Sequence, residues 1–147
     1  MGTVIEDDPI FFDQSSFLQI LRVEKMRTKR SKKPFLLLLL DVSHLIETSH
    51  DMKLVDKVKE ALNTSLREVD IRGWYHHNRT IGVLLTEMAS IDEASIDAIT
   101  HKIYNRFCQK LNPKWINKID MSYFIPWFMI SRTRLQSKHS CWQVGTA

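Results

Sequence analysis

Arg67 and Asp70, with Arg72 two residues further on, are the residues of this 147-residue chain best suited to holding an anion. An arginine fork can grip two phosphate oxygens with parallel hydrogen bonds, and a neighbouring carboxylate can orient it or accept N–H groups from a ligand. The same spacing also allows a purely structural pair, because an arginine at a helix end suits the helix dipole and can close on Asp70. After Asp70 and five intervening residues comes the run His76-His77-Asn78-Arg79-Thr80. Paired imidazoles, with His44 and His50 elsewhere, raise the question of a metal. However, adjacent strand residues point to opposite faces, and neither cysteine lies at ligand spacing, so a polar hairpin tip is expected. Asp41 ends an apolar run as a lone carboxylate. No nucleophile signature is present, and Gly73 and Gly82 stand apart, so there is no glycine-rich phosphate loop. Cys108 falls near the apolar side of a helix and is expected in the core. Trp74 and Tyr75 beside Arg72 and Arg79 could stack bases, but they lack the aromatic signature of strand-borne RNA readers, and core packing is expected.

The elements that must position these residues follow from periodicity. A helix is expected over about Asp13–Arg30, capped by Ser15 or Ser16 and stopped by Pro34. Phe35–Val42 has no polar residue before Asp41, as in a central strand buried on both faces. Residues 51–68 form an amphipathic helix, with Val55, Val58, Leu62 and Leu66 at helical spacing. Asp70–Tyr75 and Thr80–Thr86 read as hairpin arms around a turn at His76–Arg79, where Asn78 tolerates positive φ. Ser90 and Glu93 have capping-box spacing and open a helix to about Leu111, with Ile96, Ile99, Ile103, Phe107 and Leu111 facing inward. Ile119–Phe128 reads as a last strand. With the leading helix set aside, the order is βαββαβ. This is an α+β, ferredoxin-like plan with helices on one sheet face. The expected division is a flexible lead-in over 1–12, one domain over 13–130 and a disordered tail over 131–147.

Composition excludes several classes. The chain is 44% hydrophobic and 26% charged, ordinary for a globular domain. Its net charge of +4 and pI near 9.1 come largely from the run Arg22 to Lys33, which is read as a solvated helix end and connector. Two cysteines, Cys108 and Cys141, do not make a disulfide framework and fit a reducing cytoplasm. No stretch reaches the ~20 apolar residues of a membrane span. The acidic start, Met1 to Asp8, has no signal-peptide pattern, and Glu6 stands where a myristoylation motif needs Ser or Thr.

The layout of a strand ending in Asp41, then Arg67-x-x-Asp70, five residues and a hairpin turn resembles the GGDEF family of diguanylate cyclases. The resemblance runs from about Phe17 to Trp127 and implies a nucleotide-cyclase-like palm fold. In active members an Asp matching Asp41 and an acidic residue two positions on hold the metal, but here Ser43 stands at the second position. The family's naming turn, Gly-Gly-Asp/Glu-Glu-Phe, lets backbone approach phosphates and supplies acids to hold Mg²⁺. Here that turn is His76-His77-Asn78-Arg79-Thr80, with imidazoles for both glycines and no carboxylate. The stretch from Asp41 to Arg67 is short and carries no match to the family's guanine-binding residues.

The resemblance therefore implies a cyclase frame without its catalytic residues, with no cofactor and no enzymatic activity. What remains is Arg67 and Asp70 at the position of the family's inhibitory site for cyclic di-GMP. There the guanidinium could pair with phosphate or a guanine edge, and Arg72 could add charge. The expected role is regulatory: cytoplasmic, in bacterial signalling or an envelope-polysaccharide pathway, through a protein partner or homodimer and cyclic di-GMP, without nucleic acid. The alternatives are a divergent cyclase or nucleotidyl transferase using Asp41, or a pure interaction scaffold. Trp115, Phe124, Trp127 and Phe128 offer aromatic surface either for a partner or for seating the first helix.

Overall fold

The computed structural model describes residues 10–88, 91–125 and, for the backbone alone, 133–135. Its elements are β1 (Phe11–Phe12), α1 (Gln14–Ser31), β2 (Leu36–Asp41), α2 (Ser43–Ser49), α3 (Met52–Ser65), β3 (Ile71–His76), β4 (Thr80–Leu85), α4 (Glu93–Lys110), α5 (Pro113–Ile116), β5 (Asp120–Phe124) and β6 (Thr133–Leu135). They build a six-stranded sheet in the order β1-β3-β4-β2-β5-β6. β1 runs parallel to β3, and every other pairing is antiparallel. The expected βαββαβ order is present, and the fold is α+β.

The leucine run Leu36–Leu40 is the centre of the molecule. Successive strand side chains alternate between faces. Leu36, Leu38 and Leu40 join α3 and α4 residues such as Val58, Leu62, Ile103 and Phe107 in one core. Leu37 and Leu39 join Phe17 and Leu21 of α1 with Phe35 and Leu84 in a second. The expectation of a strand buried on both faces holds. The helices, however, lie on both sheet faces: α1 covers the face opposite α3 and α4. Gly82 makes this close packing possible, since a Cβ there would lie 2.6 Å from Phe17 Cε2. Phe124 packs in the α1 core and Trp115 against the other, so both serve the interior. Trp127 and Phe128 lie outside the described residues.

Several local expectations need correction. α1 is capped by Asp13, whose carboxylate accepts from Ser16 N at 2.8 Å, in place of Ser15 or Ser16. Its C-terminus is a left-handed Lys32 with φ 65°, and Pro34 follows. α4 is capped by Asp92, so Glu93 is its first helical residue, and Ser90 lies outside the described residues. α2 and α5 were not foreseen, being too short to show a period. Phe11–Phe12 falls within the expected lead-in and Thr133–Leu135 within the expected tail. Both form strands because they pair with β3 and β5. Cys108 is exposed, because the inner face of α4 carries Ile103, Tyr104 and Phe107. Trp74 is buried, and Tyr75 packs partly buried against the α1 core, so neither ring is presented for stacking.

Candidate functional site

The strands bring the chemistry-bearing residues to two opposite ends of the sheet. At one end, α3 stops at Ser65 and a tight turn returns the chain to β3, with Asp70 N donating to Arg67 O at 3.1 Å. The Asp70 carboxylate gathers this turn. Its Oδ2 accepts from Arg67 N at 2.8 Å, and its Oδ1 accepts from Arg67 Nη2 at 2.8 Å and Nε at 3.2 Å. Arg67 Nη2 also donates to Thr86 O at 2.8 Å, which ties the turn to the end of β4. The Asp70 side chain is 2% exposed and that of Arg67 48%. The bonded carboxylate of Asp70 holds the Arg67 guanidinium above its ordinary pKa, against the opposing effect of partial burial.

Arg72 is placed otherwise than expected. It adds no surface charge, because strand alternation turns it inward beside Trp74 and leaves it 2% exposed. Its Nη2 donates to Arg67 O at 3.1 Å and to Asp70 O at 2.9 Å, and its Nη1 to Asn63 Oδ1 at 3.2 Å. Arg72 Nε has no partner among the described residues. Burial pushes this guanidinium below its ordinary pKa, and the charge of Asp70 opposes that shift. Arg72 thus braces the Arg67–Asp70 turn from beneath. Beside the turn lies a cavity of about 360 Å³, walled by Leu66, Arg67, Asp70, Met88, Ile99 and Lys102 among others. Its lining combines apolar side chains with the cations of Arg67 and Lys102 and the carboxylate of Asp70.

At the other end, His77, Asn78 and Arg79 form the hairpin turn between β3 and β4, with Arg79 N donating to His76 O at 3.0 Å. Asn78 takes the expected left-handed conformation at φ 55°. His76, His77, Asn78 and Arg79 are exposed, and Thr80 is half-buried. His77 N donates to Gln14 Oε1 at 2.6 Å, and its ring meets Trp74 edge-on at 5.9 Å. The hairpin tip thus rests on the start of α1 and on an aromatic cluster. Asp41 stands directly across from Thr80 on β4 and Asp120 on β5. Its Oδ1 accepts from Ser43 N at 2.9 Å and Ser43 Oγ at 2.6 Å, so the carboxylate starts α2. Among the described residues no three His, Cys, Asp or Glu side chains come together to hold a metal ion.

Arg67, Asp70 and Arg72 therefore converge, while Asp41, Ser43 and His76–Thr80 gather at the opposite end. Asn63, Thr86 and Lys102 were missed. Asn63 meets Arg72 across the α3–β3 turn, and only the register of β4 and the packing of α4 bring Thr86 and Lys102 near Arg67, with no local motif to announce it.

No known family model matches the chain, and no curated protein does. Solved structures do. A DGC protein from Thermotoga maritima is 14% identical, with 82% of this chain and 86% of that one covered and a TM-score of 0.63. The diguanylate cyclase SiaD from Pseudomonas aeruginosa, solved in complex with its activator SiaC, is 15% identical at a TM-score of 0.58. That match covers 92% of this chain but only 51% of SiaD. Among the described residues no helix is long and apolar enough to cross a membrane. At these identities the likeness concerns architecture: the chain has a GGDEF-like fold, that of its diguanylate cyclase neighbours.

Proposed function

We propose that this domain is a regulatory, non-cyclising member of the diguanylate cyclase fold, acting in the bacterial cytoplasm through a protein partner and taking cyclic di-GMP at Arg67 and Asp70. One observation carries the reading. The Arg67–Asp70 turn is fully built beside a cavity, whereas the hairpin turn at the opposite end has no carboxylate. Phosphoryl transfer needs acids to hold a hard cation, and Asp41 is engaged with Ser43. At the other end Asp70 occupies Nε and Nη2 of Arg67, and both Nη1 hydrogens stay uncommitted among the described residues. In this reading Asp70 holds the fork and Nη1 meets the phosphate. The partner is supported by analogy with SiaD, which was solved with an activator.

Isothermal titration with cyclic di-GMP, with GTP as control, tests the site. Micromolar binding of the dinucleotide is expected, with loss in Arg67→Ala and Asp70→Ala; unchanged affinity in both variants sinks the assignment. Incubation with GTP and Mg²⁺ or Mn²⁺ is expected to yield no cyclic product. A divergent nucleotidyl transferase is favoured by one placement, Asp120 directly across from Asp41. Product in that incubation, lost in Asp41→Asn, would establish it.

A further inference from the structure

The basic run that the sequence suggested was only a solvated connector is the helical end of α1 and the turn after it. Arg22 to Lys33 holds seven cations against the single carboxylate of Glu24. The whole chain is only +4, so everything outside this segment sums to −2, and the molecule is electrically polarised. Glu24 is partly spent on Arg27, at 3.4 Å. The inner face of α1 is committed to the core through Phe17, Leu21 and Thr28. Its opposite face carries Val23 and Met26, 46% and 58% exposed, between the exposed Arg22, Lys25, Lys29 and Arg30. Beside it, Arg27, Arg30, Lys32 and Lys33 help wall a cleft of about 1170 Å³. The turn is fixed, because Thr28 Oγ1 donates to Lys33 O at 3.1 Å and Lys32 N to Thr28 O at 2.8 Å.

We propose that this face of α1 docks the domain on an anionic lipid surface. Long cationic side chains ringing exposed apolar ones are what an interfacial helix needs. The cations meet headgroup phosphates while the apolar tips enter the acyl boundary. A nucleic acid would use the same cations but has no use for Val23 and Met26. The aromatic residue of α1, Phe17, is fully buried and unavailable for base stacking. The negative remainder of the chain turns the basic end toward the membrane.

Flotation of the full chain with vesicles of phosphatidylcholine and 30% phosphatidylglycerol, against pure phosphatidylcholine, tests this. Binding is expected only to the anionic vesicles, weakening as salt is raised. Each surface cation contributes about fivefold in affinity, so the exposed triple variant Lys25→Gln/Lys29→Gln/Arg30→Gln should lose about a hundredfold. Met26→Ser should lose about fivefold at unchanged salt dependence. No binding to anionic vesicles, equal binding to neutral ones, or insensitivity to the triple variant overturns the proposal. Tighter binding to a single-stranded RNA, unaffected by Met26→Ser, also overturns it and makes the face a nucleic-acid surface. Cyclic di-GMP binding is read on different residues, so neither result stands in for the other.

Discussion

The two ends of the sheet are separated by the length of β3, about 17 Å, and they are built differently. At the β3 start, one buried carboxylate takes bonds from the backbone and side chain of Arg67, and a second, buried arginine holds the carbonyls of the same turn. At the hairpin tip, the side chains of His76 to Arg79 are exposed, and the tip is tied to the rest of the fold through its backbone, by His77 N to Gln14 Oε1 and by Val42 N to Arg79 O. Side-chain polar order is concentrated at the Arg67–Asp70 turn and is thin at the hairpin tip. Burying a guanidinium is costly unless its hydrogen bonds are met, and Arg72 meets that need through Nη1 and Nη2 by holding Asn63 and the carbonyls of the turn beside the cavity. The tip carries no buried charge, and its constraints are those of its backbone: the left-handed Asn78 and the bonds at His77 N and Arg79 O.

This contrast can be broken by substitution. Arg72→Met should have the largest effect, a loss of about 2–4 kcal/mol, because it leaves the buried Asp70 carbonyl unmet and removes the tie from β3 to the Arg67 carbonyl. Urea unfolding would measure it, and a loss under about 1 kcal/mol would remove the brace from the account. Asp70→Ala should cost about 2–3 kcal/mol by freeing Arg67 N and its guanidinium together, with faster amide exchange at residues 67–70 as the companion signal. Asn78→Val should cost about 1–2 kcal/mol through its positive φ alone, while Asn78→Gly stays neutral; equal melting of both would mean the turn relaxes. At the bottom of the scale, His76→Ala and Arg79→Ala should each stay within about 0.5 kcal/mol of the parent. A larger loss in either would show that the tip is not the loose end.

What was readable in the sequence was what repeats. The two-sided leucine strand, α3 and the hairpin around Asn78 each carry a period or a turn residue that survives without tertiary context. α2, α5 and the two-residue β1 do not: β1 exists because β3 accepts it, with Gly73 leaving room where a Cβ would lie 2.6 Å from Phe12 O. At the candidate site, the Arg67–Asp70 pairing was visible as an option in the spacing. The role of Arg72 was not foreseen, although its alternation with Trp74 points it inward, because arginine is so seldom buried that surface charge is the natural expectation. Thr86 and Lys102 become neighbours of Arg67 only once the register of β4 and the packing of α4 are known.

The leucine strand has one more consequence. Leu36 to Leu40 is translationally degenerate: sliding β2 by one residue swaps its faces and still sets leucine against each core, so hydrophobicity cannot choose among alignments. The choice is made at its ends and by its neighbours. Asp41, hooked to Ser43, marks where the strand must stop, and the unequal faces of β4, Ile81 and Val83 on one side and Gly82 on the other, accept a single alignment. The Asp41 carboxylate thus serves as the ruler stop for the central strand, and moving it would shift the alignment of the whole sheet.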